Sequence, residues 1–333
     1  MNDGPWRITF DTNPDTCNIH CIMCEEHSRL RKEPITDIRM MDPEIITKVI
    51  SSASENGLKE IIPSTMGEPL LYPHFDRFIE LARKYDLKIN LTTNGTFPVI
   101  GVREWGHKIL PFASDIKISI NGASKDVNEG IMEGVDHDTI LSNIKELIRI
   151  RDEIRKSGIN HPTVSFQVTL MQRNIDDLKN LLELAIDLDV DRLKGHHLWI
   201  TWPELETESL TSDKQSREKW NKVAKELKDI ARNKIQLANI SELTIDDIDS
   251  KLPDDYVCPF AGKEAWIAWD GTFNVCCAPD NLRKQFGHFG NVTEEPFMDL
   301  WRSKKYQDFV KVAGMTEVCK RCNMRIPPSG GGD

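Results

Sequence analysis

The sequence contains no hydrophobic run long enough to cross a membrane, and it has no export signal. Its 333 residues include no apolar stretch near the length of about 20 that a spanning helix requires. The first ten residues, MNDGPWRITF, lack the charged, apolar and small-residue order of a signal peptide. The sequence therefore predicts a cytoplasmic protein that does not span a membrane.

An excess of positive charge is also missing. The chain carries 43 lysine and arginine residues against 53 aspartate and glutamate residues, which gives a net charge of −10. A general nucleic-acid binder usually presents a basic face. The composition therefore argues against nucleic acid as a partner.

Cysteine is absent from the middle of the chain. All eight cysteines lie towards the two ends, and none occurs between residues 24 and 258. Secreted proteins held by disulfides are usually small and distribute their cysteines throughout. In a cytoplasmic chain, clustered thiols more often bind metal. Both groups of cysteines are therefore candidate metal sites.

Strands and amphipathic helices alternate between the two cysteine groups. Residues 41–57 show the pattern well, because Asp42 can cap a helix, Pro43 suits its first turn and Gly57 can end it. This helix completes the first of six strand–helix units that run in order up to residue 235, and this order predicts a parallel sheet with helical crossovers. The expected fold class is α/β, a partial (β/α)6 barrel related to the TIM barrel, with its chemistry at the carboxyl ends of the strands.

The pattern changes after residue 235. An acidic, irregular stretch follows, and then a hairpin over residues 266–277 with Asp270 and Gly271 at the turn. One amphipathic helix is predicted over residues 296–310. The predicted organisation is a barrel at 1–235, a linker at 236–257, a small C-terminal domain at 258–325 and a disordered tail at 326–333.

The N-terminal cysteines, Cys17, Cys21 and Cys24, follow the first predicted strand directly. Thiolates suit zinc or an iron–sulfur cluster. A structural zinc site would need a fourth ligand, for which His20 and His27 are candidates. A cubane held at three of its four irons would instead leave one iron open to an exogenous ligand.

The C-x3-C-x2-C spacing resembles the signature of the radical S-adenosylmethionine (SAM) enzymes. By that resemblance, the three cysteines hold a [4Fe–4S] cluster whose open iron binds SAM, and reductive cleavage of SAM gives a 5′-deoxyadenosyl radical. Segment 64–73, STMGEPLLYP, resembles the GGEP segment of the family, with Met66 in place of the first glycine. The resemblance implies SAM contacts from further residues at the ends of strands and in the cysteine loop: Met23, Gly67, Glu68, Asn94, Ser119 and Asn121.

The C-terminal cysteines leave two metals possible. Four of them, Cys258, Cys276, Cys319 and Cys322, could form a zinc ribbon-like site. Their arrangement with Gly271 also resembles the SPASM/twitch extension of radical SAM enzymes, and most closely the twitch-type dehydrogenases such as 2-deoxy-scyllo-inosamine dehydrogenase. That resemblance implies one auxiliary [4Fe–4S] cluster. The fifth C-terminal cysteine, Cys277, is not part of this set of four ligands. It could replace Cys276 as a ligand, donate a hydrogen atom as in radical epimerases, or simply be a small buried residue.

The reaction that these resemblances imply is hydrogen abstraction from a small polyol, sugar or related metabolite, followed by oxidation or epimerisation, with a flavodoxin- or ferredoxin-type electron donor. The first strand begins near residue 8, so no peptide-recognition domain is expected before it, which favours a small-molecule substrate. The alternatives are a peptide maturase and a zinc-binding protein without catalysis. Candidate substrate contacts follow the sixth strand, although alternation would turn half of them towards helices: Lys194, His196, His197, Trp199 and Trp202.

Overall fold

The computed structural model describes residues 3–63, 66–245, 255–278, 280–320, 322 and 324–328. Parts of the predicted linker (246–254) and tail (329–333) lie outside these residues. The strands of the described chain are β1 (Arg7–Phe10), β2 (His20–Cys21), β3 (Glu60–Pro63), β4 (Lys88–Thr93), β5 (Ala113–Ser119), β6 (Met132–Glu133), β7 (Thr163–Leu170), β8 (Arg192–His197), β9 (Gln236–Ala238), β10 (Glu264–Ile267) and β11 (Phe273–Asn274).

Helices connect the long strands. They are α1 (Pro43–Ser54), α2 (Asp76–Tyr85), α3 (Gly101–Ile109), α4 (Lys125–Ile131), α5 (His137–Ser157), α6 (Leu178–Asp187), α7 (Lys214–Ala231), α8 (Asp280–Arg283), α9 (Phe297–Arg302), α10 (Lys304–Val312) and α11 (Glu317–Lys320). Helix α1 starts as predicted, because the Asp42 side chain accepts a hydrogen bond from the Glu44 amide. None of the helices in the described residues is long and apolar enough to cross a membrane.

One sheet organises the molecule. Its order is β11-β10-β1-β3-β4-β5-β7-β8-β9, and every neighbouring pair is parallel except β10 with β11. The six predicted barrel strands, β1, β3, β4, β5, β7 and β8, lie together in chain order. This confirms the α/β class with its parallel sheet of strands joined by helical crossovers.

The C-terminal hairpin is part of this sheet. Strand β10 pairs in parallel with β1, in a register that places Arg7 opposite Glu264 and Phe10 opposite Ile267. Gly271 forms the hairpin turn with a φ of 87°, in the left-handed region that favours glycine. The small domain that the sequence separates from the barrel is therefore joined to it by backbone hydrogen bonds.

The two faces of the barrel strands differ in polarity. Residues such as Ile61, Ile89, Ile116, Ile118 and Phe166 are fully buried under the helices. The alternate residues are largely polar and turn to the interior of the barrel. Parallel strands buried on both faces usually read as continuous apolar runs, so a polar inner face indicates an interior that is not packed as hydrophobic core.

Two local predictions were wrong. The helix expected over 296–310 is two helices, since Ser303 is extended and its hydroxyl caps the second helix at the Tyr306 amide. The sequence also predicts that Asn174 caps the helix that follows β7, but its side chain makes no capping hydrogen bond. Its side-chain amide group instead donates to the carbonyl oxygens of Asn121 and Thr169. These two hydrogen bonds tie the ends of β5 and β7 together.

Candidate active site

The loop that carries Cys17, Cys21 and Cys24 is held from several sides. Cys21 lies in β2, which pairs with β6 and places Cys21 opposite Met132. The carbonyl oxygen of Cys24 accepts a hydrogen bond of 3.0 Å from the indole nitrogen of Trp202. Trp202, a predicted substrate contact, therefore helps to hold the cysteine loop.

An arginine clamp fixes the same loop to the chain that follows it. Arg39 donates through its side chain and its backbone amide to the Asp15 carboxylate, whose side chain is only 2% exposed. Arg39 also lies 2.8 Å from Glu26, and Arg31 donates to Glu26 at 2.7 Å. These ion pairs anchor segment 28–39 across the base of the cysteine loop.

The three cysteines line one cavity of about 130 Å³ at the carboxyl ends of β3, β4 and β5. Four of the residues predicted to contact SAM also line it: Gly67, Glu68, Asn94 and Ser119. Met66 of the GGEP-like segment and His27, the suggested zinc ligand, also line it. Sequence reasoning missed four further lining residues, two apolar and two threonines: Ile19, Thr92, Thr93 and Met132. The structure thus brings the three thiols together with most of the predicted SAM contacts.

Two predicted contacts lie outside the cavity lining. Met23 packs, partly buried, against the hydrophobic core. Asn121 is 2% exposed, and its side-chain oxygen accepts a hydrogen bond from the Thr169 amide at 2.8 Å. Its side-chain oxygen therefore links β5 to β7.

Glu68 is the only carboxylate among the residues that line this cavity. It accepts hydrogen bonds from the Thr93 hydroxyl at 2.7 Å, the Asn94 amide at 2.8 Å and the Leu70 amide at 3.2 Å. Burial raises the pKa of Glu68 to about 7, although these hydrogen bonds oppose the rise. The carboxylate is thus fixed at the end of β4, beside the position of Cys17.

Hydrogen-bond donors approach the sulfur atoms. The Asn94 side-chain nitrogen lies 3.8 Å from the Cys17 sulfur, and the His27 amide donates to the Cys24 sulfur at 3.3 Å. Burial raises the pKa of Cys17 to about 11 and also raises that of Cys24. Thiols of this kind release protons when they bind a metal cluster, while donors aimed at sulfur tune its potential.

Each histidine suggested as a zinc ligand has one ring nitrogen next to a backbone carbonyl oxygen. A ring nitrogen of His27 lies 2.7 Å from the Pro14 carbonyl oxygen, and one of His20 lies 3.0 Å from the His27 carbonyl oxygen. Within the described residues, no three histidine, cysteine, aspartate or glutamate side chains converge on a single ion position. The thiolates of a four-iron cluster each bond a different iron, so they do not need to converge on one point.

The five C-terminal cysteines share a second, larger cavity of about 450 Å³. Cys258, Cys276 and Cys322 each accept an amide hydrogen bond of 3.4 Å at sulfur, from Ala261, Ala278 and Met324 respectively. Cys319 is buried, and Cys277 is exposed. The set predicted to hold an auxiliary cluster therefore lies in one place.

Cys276 and Cys277 differ in their surroundings. The pKa of Cys276 falls to about 7, first because it accepts a hydrogen bond from the Cys277 thiol. Cys277 also lines a third cavity, of about 230 Å³, together with Met66, Glu26 and Arg39 of the N-terminal region. Cys277 therefore lies between the auxiliary site and the part of the chain that carries the first cluster.

The larger cavity also contains the predicted substrate contacts Lys194, His196, His197 and Trp199. Lys194 and His196 lie on the polar face of β8. His197 alternates to the other face, where its ring contacts Trp220 of α7 at a centroid distance of 5.0 Å. Trp199 is 41% exposed. The expectation that some of these side chains turn towards helices is correct for His197.

Comparison with known proteins decides the family. The radical SAM superfamily profile matches residues 14–185, and the SPASM profile, an iron–sulfur cluster-binding domain, matches residues 258–323. The chain belongs to the radical SAM superfamily. This radical SAM enzyme accordingly uses SAM and a [4Fe–4S] cluster, with auxiliary iron–sulfur ligation in its SPASM domain, and the zinc interpretations are wrong for both sites.

Several relatives resemble this radical SAM enzyme. The tungsten-containing aldehyde ferredoxin oxidoreductase cofactor-modifying protein of Pyrococcus furiosus is 25% identical, over 93% of this chain and 85% of the relative. A probable GTP 3′,8-cyclase of Sulfurisphaera tokodaii is 27% identical over 53% of this chain and 51% of its own. The PqqA peptide cyclase of Methylobacterium nodulans is 22% identical over 50% of this chain and 43% of its own.

Solved structures share the fold. SuiB of Streptococcus suis, bound to SAM, superposes with a TM-score of 0.67 over 96% of this chain and 72% of that chain, at 14% identity. The enzyme anSMEcpe with bound SAM superposes with a TM-score of 0.65 over 96% of this chain and 83% of that chain, at 16% identity. The chain therefore shares its fold with these solved structures over nearly its whole length.

Proposed function

We propose that this radical SAM enzyme abstracts a hydrogen atom from a small-molecule substrate held in the 450 Å³ cavity, and that the product is an oxidised or epimerised metabolite. One observation carries the proposal. The inward residues Lys194 and His196 share that cavity with Cys258, Cys276 and Cys319. A substrate bound there would contact barrel side chains at one end and the auxiliary site at the other.

The roles of the protein groups follow from their positions. Cys17, Cys21 and Cys24 would hold the first cluster, while Gly67, which leaves room for the cysteine loop, and the fixed carboxylate of Glu68 would orient SAM. When bound, the first cluster with SAM supplies a hydrogen-abstracting 5′-deoxyadenosyl radical, and the auxiliary cluster supplies an acceptor for one electron. The surrounding barrel excludes water from the reacting carbon.

The atoms and electrons of an alcohol oxidation can be accounted for with the two clusters and SAM. The substrate carbon loses one hydrogen atom, which appears in 5′-deoxyadenosine, and its hydroxyl then loses one proton and one electron. The product is a ketone or an aldehyde.

Epimerisation is the alternative outcome at the same carbon. It needs a hydrogen atom delivered to the opposite face, which the Cys277 thiol, exposed at the junction of two cavities, would donate. The Cys277 thiyl radical left behind would return to the thiol by taking up one proton and one electron, which the auxiliary cluster in its reduced form would supply. Cys277→Ala should abolish epimerisation and leave dehydrogenation in place. Product formed in deuterated solvent separates the two, because only epimerisation by a thiol introduces solvent deuterium at carbon.

Anaerobic reconstitution followed by dithionite and SAM tests the initiation chemistry. The enzyme should contain about eight irons, as two cubanes require, and should form 5′-deoxyadenosine. Cys17→Ala should form none. Cys319→Ala should still cleave SAM but should form no oxidised product from a panel of sugars, polyols and nucleotides. A fully loaded enzyme that forms no 5′-deoxyadenosine would refute the proposal.

Peptide maturation is the second candidate. It is favoured by the relationship to the PqqA peptide cyclase and by the apolar part of the cavity lining, which includes Phe260, Leu282 and Phe286. The relationship to the cofactor-modifying protein of Pyrococcus furiosus, which extends over most of both chains, favours a small molecule instead. The cytoplasmic location and a flavodoxin- or ferredoxin-type donor remain predictions.

A further inference from the structure

The inner face of the barrel carries charges from many strands. Arg7 on β1 donates to Glu60 on β3 at 3.0 Å and also to Glu264 on β10. Asn90 on β4 links Glu60, at 3.2 Å, to Lys117 on β5. Barrel interiors of this family of folds are commonly filled by branched apolar side chains. This interior is built from polar groups instead, and groups of that kind need polar partners.

Two hydrogen-bond donors that line the 450 Å³ cavity lack partners among the described residues. The Lys194 ammonium group makes no hydrogen bond or ion pair there, and neither does the His196 ring. Arg7 lines the same cavity, but its Nε is buried and its other nitrogens are paired with glutamates. Partly buried donors that face one cavity indicate an acceptor that the protein itself does not provide.

The charges around Lys194 do not cancel. Asp115, its neighbouring carboxylate, already accepts from the Thr163 and Ser165 hydroxyls at 2.8 Å and lies 3.7 Å from Arg192. Lys117 donates to a neutral amide, so it also lacks a carboxylate partner. Burial lowers the pKa of both lysines, that of Lys117 to about 8. Four cationic side chains therefore stand against three carboxylates, which leaves one positive charge in excess: Arg7, Lys117, Lys194 and Arg192 against Glu60, Glu264 and Asp115.

We propose that Lys194 and His196, beside Arg7, form a subsite for an anionic group of the substrate, a phosphate or a carboxylate. The inference rests on the proposed function and names its substrate class. Lys194 lies three residues before the end of β8, roughly 10 Å below the rim at the rise of an extended strand. A phosphorylated or carboxylated metabolite of about sugar-phosphate length would reach from this subsite to the reacting carbon at the rim.

The test uses the reconstituted enzyme and two probes, inorganic phosphate and acetate, titrated calorimetrically at constant ionic strength against chloride. Saturable binding of one probe identifies the class of anion. Lys194→Met, which keeps the length of the side chain, should weaken that binding at least about tenfold. Lys194→Arg should restore most of it. Lys222→Met, on the exposed face of α7, is the matched control and should leave the affinity within about twofold.

Other outcomes would overturn the subsite. One is the absence of saturable binding for both probes. Another is a Lys194→Met enzyme with unchanged phosphate and acetate affinity but an altered auxiliary-cluster spectrum. The positive charge of Lys194 would then compensate the negative charge of that cluster and would not bind a substrate anion. Matching iron content shows that each variant has assembled. Failure of the proposed function is distinguishable, because it would appear as missing 5′-deoxyadenosine in the wild-type enzyme and would not affect phosphate binding.

Discussion

Gly67 offers a sharp test of how the SAM cavity is built. A Cβ atom at this position would lie 2.0 Å from the Asn13 carbonyl oxygen and 2.7 Å from that of Thr16. Real Cβ contacts are essentially never closer than 3.0 Å, so Gly67→Ala must move the two segments apart by about 1 Å. Both close atoms belong to the backbone and cannot rotate away.

The cost of this displacement in unfolding free energy can be worked out from the hydrogen bonds that it breaks. The Glu68 amide donates to the Thr16 carbonyl at 2.9 Å, and the Asn13 side chain donates to the Glu68 carbonyl at 2.9 Å. Loss of both hydrogen bonds costs about 2 kcal/mol of unfolding free energy. Thr16 immediately precedes Cys17, so the shift also displaces a cluster ligand. A misplacement of about 1 Å at reacting groups can reduce the rate about 100-fold.

The assay compares anaerobic unfolding and 5′-deoxyadenosine formation in Gly67→Ala with the wild type. The control is Gly130→Ala, because Gly130 is in helix α4 and no atom lies within 4 Å of a Cβ built there. The control should keep full activity and gain up to about 1 kcal/mol from helix propensity. A Gly67→Ala enzyme with wild-type stability and rate would refute the view that this close backbone contact positions the cysteine loop.

Two further predictions concern the same region. Arg39→Ala should lower the unfolding free energy by about 2 kcal/mol, because it leaves the Asp15 carboxylate buried without its partner. Chemical denaturation measures this change. The control is Arg29→Ala, which removes the ion pair of Arg29 with Glu133, two side chains that are 69% and 33% exposed, and it should change the unfolding free energy by less than about 0.5 kcal/mol. In the cluster-free protein, the raised pKa of Glu68, about 7 against 4.5, gives a stabilising contribution that is complete below pH 4.5 and is lost as the pH rises through about 7. The stability difference between wild type and Glu68→Gln, measured by urea unfolding, should therefore change by about 3 kcal/mol over that range, and a constant difference would contradict the assignment.

Local patterns predicted much of the architecture. Helix α1 was predictable because Asp42, Pro43 and the apolar spacing all favour the same helix. The break at Ser303 was not, since the apolar pattern continues through it and the hydroxyl cap depends on the geometry of the chain. Asn121 shows the same limit at the site. Its position at the end of a strand suggested a ligand contact, but the Thr169 amide takes its oxygen.

The sequence by itself determined the cofactor chemistry. Three thiols within eight residues are kept close by the short chain between them, whatever the remainder of the molecule does. Only the tertiary structure decided what surrounds the substrate. Arg7 meets Glu264 across 257 positions of sequence, and Lys194 faces the same cavity as Cys319. Such contacts depend on strand order, on register and on the face that each residue turns inward. The packing of the whole sheet sets all three, and no local sequence pattern encodes them.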